Sequence, residues 1–317
     1  RDRDVTGVQT CALPIFNYYD KAFATGVKPF LKDPYIAAQI ALYLGDTVRF
    51  NHYLGIAFEN GMPLKSVTAS KFVQDRYYPH LYKGILATYK RTYVKPRIDS
   101  VLLGEICMMC YRSDSLKLKT GGRSQDFYNS ENESRGYIQE YLLSKGIFAN
   151  EHLLGITTNE MWEDFYRKYN RKDLYGPSNG NYSEACELRL KCPMNILLHS
   201  QCFFQENKAA LFKAMENGYL HPKDYAILEE TSVLWFKDET GNDKETCKRP
   251  EQIISYNIYA TDPTRIVQTY DASPEGMKRA ESNRRKIHLQ KFSVDQRKKE
   301  LEGKYGFAFF FDFHDRP

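Results

Sequence analysis

Apolar side chains recur every three to four positions along most of this chain, which is the spacing of one face of an α-helix. Ala37, Ile40, Ala41 and Leu44 fall on one such stripe, with Asp33 as candidate N-cap, Pro34 at the first helical position and Gly45 placed to end the helix. A second stripe, Phe50, Leu54, Ala57 and Phe58, predicts a helix that begins near Thr47 and stops at Gly61, ahead of Pro63. Ala22-Phe23 followed by Gly26 recurs as Ala57-Phe58 followed by Gly61, an offset of 35 residues that is close to the ~34-residue period of tetratricopeptide helix pairs. Two copies are fewer than the three or so that stacked repeats need. The pair must therefore lean on the helices predicted over residues 78–93 and 98–112, the second carrying Val101, Leu102, Ile106 and Met109.

From Thr120 to Arg135 the chain is rich in Gly, Ser and Asn and poor in apolar residues, which predicts an exposed loop and the domain boundary. Helical spacing resumes with Tyr137, Ile138, Tyr141 and Leu142, ended by Gly146, and again with Met161, Trp162, Phe165, Tyr166 and Tyr169 behind a cap at Thr157 or Thr158. Pro193 splits a predicted pair over residues 183–205, and helices follow over residues 209–217, ended by Gly218, and from Pro222 to about Glu230. Val233-Leu234-Trp235-Phe236 and Ile253 to Tyr259 flank a polar, turn-rich stretch and predict a β-hairpin, with a further short strand at Phe307 to Phe313. The fold class is mainly α: tetratricopeptide-like helical hairpins over residues 16–119, a linker over 120–135, and a C-terminal helical domain over 136–317 with the small β-hairpin near 233–259.

Composition leaves this picture in place. At 317 residues, 42% hydrophobic and 27% charged, the chain can build a core, and its 24 Tyr and 19 Phe supply much of the buried area as rings. The net charge of +5 is uneven, since Met277 to Lys304 holds ten basic and four acidic residues. That segment lacks the interleaved aromatics and docking motif of a nucleic-acid binder, so it reads as solvated helix and argues against a nucleic-acid partner. No run of about 18 apolar residues occurs, so no membrane-spanning segment is expected.

Val5-Thr6-Gly7-Val8-Gln9-Thr10-Cys11-Ala12-Leu13-Pro14-Ile15 resembles the translation of a common short-read sequencing adapter, as in an assembled environmental read, so residues 1–15 are set aside as non-native. The native start is then missing, and the compartment stays open: cytoplasmic, or periplasmic with a lost signal peptide. The six other cysteines are irregularly spaced and read as free thiols.

Gly218-Tyr219-Leu220-His221-Pro222-Lys223-Asp224-Tyr225-Ala226-Ile227-Leu228, behind a helix carrying His199, resembles an uncharacterised bacterial domain found after tetratricopeptide-like helices. Arg97-Ile98-Asp99 resembles that family's entry helix, and Asn283-Arg284-Arg285-Lys286-Ile287-His288-Leu289 its closing segment. The resemblance covers about Phe16 to Leu289, implies the two-part helical fold and implies no activity.

Few residues carry candidate chemistry. His199 shares a helix face with Asn195, Cys202 and Phe203, so an imidazole held by an amide could act as general base, with Glu229 or Glu230 as carboxylate partner. Cys107-Met108-Met109-Cys110 lies late in an apolar helix without the second pair a zinc site wants, and reads as core. Asp312-Phe313-His314-Asp315 and the acidic stretch Asp238 to Glu245 lack a calcium-loop spacing, and no phosphate loop, Ser elbow or HExxH occurs, so neither metal nor cofactor is expected. The expected function is a helical-repeat module for a protein or peptide partner, binding through Tyr43, Tyr53, Tyr82 and Tyr89. The alternative is an enzyme, hydrolytic among other classes, working through His199.

Overall fold

The computed structural model describes residues 15–68, 71–75, 79–95, 99–120, 124–154, 192–198, 203–232, 254–257 and 271–305. These residues are mainly α-helical, as the periodicity predicts, and no strand occurs among them. They form two compact units, one built from the residues up to Lys95 with those from Lys298 onward, the other from Asp99 to Arg297.

In the first unit, helical residues 15–23 (α1) are followed by α2 (Lys32–Tyr43), α3 (Thr47–Glu59), the short α4 (Leu64–Thr68) and α5 (Lys71–Gln74), and α6 (Pro79–Thr92). α3 starts where an acceptor is available: the Asp46 carboxylate takes the Arg49 backbone N–H at 2.9 Å and pairs with the Arg49 guanidinium at 2.9 Å. α2 begins one residue before Asp33, which lies in its first turn, so the predicted cap is displaced although the helix is where the stripe puts it. Gly26 and Gly61, the two glycines of the repeat, both take the left-handed conformation, at φ 77° and 100°, which a residue with a Cβ adopts only at a cost of roughly 1 kcal/mol.

α3 lies between α2 and α6 and buries Phe50, Tyr53, Leu54, Ala57 and Phe58. α6 passes α3 at Gly55, where Thr92 Cγ2 and Thr88 Cγ2 lie 3.5 Å and 3.8 Å from where a Cβ would stand, ordinary contact distances. Thr88 then donates to Asn51 Oδ1 at 3.1 Å. On the other side, Phe16, Tyr19 and Phe23 of α1 set their rings 5.7 to 6.2 Å from that of Tyr53, in stacked, tilted and edge-on arrangements.

The second unit comprises α7 (Ser100–Thr120), α8 (Gln125–Tyr137) with a π turn at Ile138–Leu142 and a 3-10 turn at Leu143–Lys145, α9 (Glu151–Leu154), α10 (Cys192–Leu198), α11 (Phe203–Glu216), α12 (Pro222–Ser232), α13 (Pro274–Lys286) and most of the first half of α14 (Phe292–Tyr305). α7 packs on α8, α9 and α10, and α12 packs on α10 and α11. Tyr225 to Glu230 are buried without a break, so α12 is covered on every side and forms the middle of this unit.

One expectation is corrected here and another gains no support. The predicted linker over 120–135 holds α8: Ser124 caps it by accepting the Phe127 N–H at 3.1 Å, and its inward face is Phe127, Ser130, Glu131 and Ser134. Small polar residues replace the apolar ones on a helical stripe, so a search for apolar spacing passes over it. The predicted β-hairpin gains no support, since residues 254–257 are irregular and Val233 to Phe236 lie outside the described residues. The helix behind Thr157, the strand at Phe307 to Phe313 and the clusters at Asp238 to Glu245 and Asp312 to Asp315 also lie outside them.

Candidate functional site

Glu229 and Glu230 sit side by side on the central helix α12, at 5% and 1% exposure, so their charges must be matched locally. They are matched in different directions. Glu229 faces α11, where Lys208 Nζ reaches Oε1 at 2.5 Å from a partly solvated position, while the Tyr256 hydroxyl donates to Oε2 at 2.5 Å. Glu230 Oε1 accepts the Tyr256 backbone N–H and the Ser255 hydroxyl, the latter at 3.2 Å. The two carboxylates thus hold the irregular segment 254–257 against α12 through both its backbone and its side chains.

A second set of contacts holds the same segment from its other side. Arg284 of α13 is 1% exposed, although it stands in the basic run read as solvated. Its guanidinium donates to the Tyr256 carbonyl at 2.8 Å, to the Gln290 carbonyl at 2.7 Å and to the Asp295 carboxylate of α14, which also accepts from Gln290 Nε2. Asn283 adds a bond to the Ser255 carbonyl at 3.1 Å. Asn257 takes φ 52°, a conformation asparagine tolerates, and its amide reaches the Asp271 carbonyl at 3.4 Å.

The phenols next to Glu229 are held neutral. Burial, reinforced by the Glu229 charge, pushes Tyr256 and Tyr225 well above the ordinary tyrosine range. Tyr225 lies one turn before Glu229 on α12, with the Phe204 and Phe212 rings edge-on at 5.3 and 5.9 Å. Chemically this is a satisfied polar core: each carboxylate has donors, and each donor named here has an acceptor.

Of the predicted catalytic set, the structure places Glu229 and Glu230 together in this cluster, whereas His199 lies outside the described residues. Cys107 and Cys110 lie within α7, away from its N-terminus. No group of three or more His, Cys, Asp or Glu side chains among the described residues is placed to hold a metal ion, and no helix among them is long and apolar enough to cross a membrane.

The predicted tyrosine set divides. Tyr53 is 0% exposed and donates to Asp20 Oδ1 at 2.7 Å, so it belongs to the core and is corrected as a binding residue. Tyr43, Tyr82 and Tyr89 are half-buried. Tyr89 meets the Phe58 ring edge-on at 5.0 Å and stacks on Tyr93 at 4.5 Å. Tyr93, also half-buried, was not singled out from the sequence; its i+4 spacing from Tyr89 was the available signal.

Compared with known protein families, curated proteins and solved structures, the chain matches none.

Proposed function

We propose that the first unit is a paired-helix interaction module that holds a protein or peptide partner. The observation that carries this reading is the exposure of α6: its Ile85 and Thr88 are buried, while Tyr82, Leu86, Tyr89 and Tyr93 remain half-exposed along the adjoining stripe. Tyrosine suits recognition because one ring offers a large rigid contact and a polar tip at a low entropic cost. The sequential packing of α2, α3 and α6 and the two left-handed repeat glycines support the same reading. Against the hydrolytic alternative, Glu229 and Glu230 already accept from Lys208, Tyr256 and Ser255, which leaves neither poised as a base.

In-cell photo-crosslinking tests this reading. A Tyr82→p-benzoylphenylalanine variant is expected to capture a partner, whereas the same change at Tyr128, 42% exposed on α8, is not. Capture from neither Tyr82 nor Tyr43 would sink the proposal.

A further inference from the structure

The surface of α6 says something about the charge and shape of what it holds, and the argument rests on the interaction reading above. Between Asp75 and Asp99 the chain has no acidic residue, yet it carries Arg76, Lys83, Lys90, Arg91, Lys95 and Arg97 together with five tyrosines. Within α6 the side chains are sorted by face. Leu81, Ile85, Thr88 and Thr92 repeat at spacings of four, three and four, and the last two meet α3 at Gly55. Tyr82, Leu86, Tyr89 and Tyr93 repeat at the same spacings one residue on, so a second stripe runs beside the first and stays half-exposed.

Spacings of four and three are those at which one helix receives another, knobs into holes. The second stripe spans about three turns, roughly 16 Å at 1.5 Å per residue. Lys83 and Lys90, both exposed, flank it on the side away from α3. They and Lys95 make no ion pair among the described residues. Lys90 sits in the last turn of α6, where the helix dipole favours a cation, but Lys83 in the first part of the helix has no such reason.

We propose that the Tyr82, Leu86, Tyr89 and Tyr93 stripe docks an acidic amphipathic helix of a partner protein, with carboxylates of that helix meeting Lys83 and Lys90. A nucleic acid fits less well, because Tyr89 and Tyr93 already cover one face of each other, which leaves less ring surface for a base. A membrane surface fits less well too, because the apolar side of α6, Ile85, is already buried.

The test uses the full chain and a labelled synthetic helix of about 21 residues, long enough to be helical, with Leu at heptad positions a and d and Glu at e and g. Fluorescence anisotropy is expected to show binding that weakens as ionic strength rises from about 0.05 M to about 0.5 M. Lys83→Glu/Lys90→Glu is expected to weaken it roughly tenfold or more, and to bind instead a matched helix with Lys at e and g. Tyr82→Ala is expected to weaken both. A Gln version binding the unaltered chain as tightly as the Glu version would overturn the acidic partner and leave the interaction reading standing. Absence of binding by every helix, with crosslinks from position 82 retained, overturns the docked helix alone; loss of those crosslinks as well overturns both.

Discussion

Arg284→Met is expected to lower the unfolding free energy of the second unit by about 3 to 5 kcal/mol, read as a shifted denaturant midpoint with an unchanged slope. Methionine keeps an unbranched apolar stem and removes the guanidinium with its charge. What remains is an Asp295 carboxylate at 10% side-chain exposure without its cation, and the buried carbonyl of Tyr256 and the part-buried carbonyl of Gln290 without their donor. The cost comes from those abandoned groups more than from the value of the pair itself, so removing both charges tells the two apart. Arg284→Met/Asp295→Leu is expected to recover most of the loss. A single-variant loss under about 1 kcal/mol would mean that water reaches Asp295 and that the cluster is not the closed core described above.

Alkaline unfolding is the second large effect. Tyr19 and Tyr53 in the first unit, and Tyr225 and Tyr256 in the second, have their ionisation pushed far up, in each case chiefly by burial. In the unfolded chain a tyrosine loses its proton near pH 10, while these folded phenols keep theirs. The folded state then binds more protons than the unfolded one, so stability is fully present below about pH 10 and falls as pH rises beyond it. Each such tyrosine contributes a slope of about 1.4 kcal/mol per pH unit, or about 2.7 for the pair in each unit. Tyr256→Phe is expected to remove one tyrosine's share of the slope in the second unit, at the expense of the hydrogen bond to Glu229. An unfolding free energy that stays level between about pH 10 and pH 11 would contradict this.

Much of the helical architecture could be read along the chain, because its signals are local. Gly45, Gly61, Gly146 and Gly218 each close a predicted helix, and all four take positive φ. The stripe through Phe50, Leu54, Ala57 and Phe58 is the buried face of α3. Two kinds of information were not local. α8 packs through Ser130, Glu131 and Ser134, which carry helical spacing without hydrophobicity, so its helix resembled a loop. Arg284 looked like its neighbours Arg285 and Lys286 because nothing in a run of cations marks the one whose partners, the Tyr256 carbonyl and Asp295, are brought to it by the fold. In the sequence Glu229 and Glu230 stand out only as candidate carboxylate partners for His199. Their place in the core depends on Lys208 and Tyr256, distant in sequence, which the fold brings to Glu229.

The division of labour between α6 and the carboxylate cluster is tested most directly by amide hydrogen exchange on the full chain, alone and with the partner captured from position 82. Slowed exchange is expected over Pro79–Thr92, with Pro222–Ser232 and residues 254–257 unchanged. Slowed exchange over Pro222–Ser232 and 254–257, with α6 unaffected, would place the working site at Glu229 and Glu230 and contradict the account.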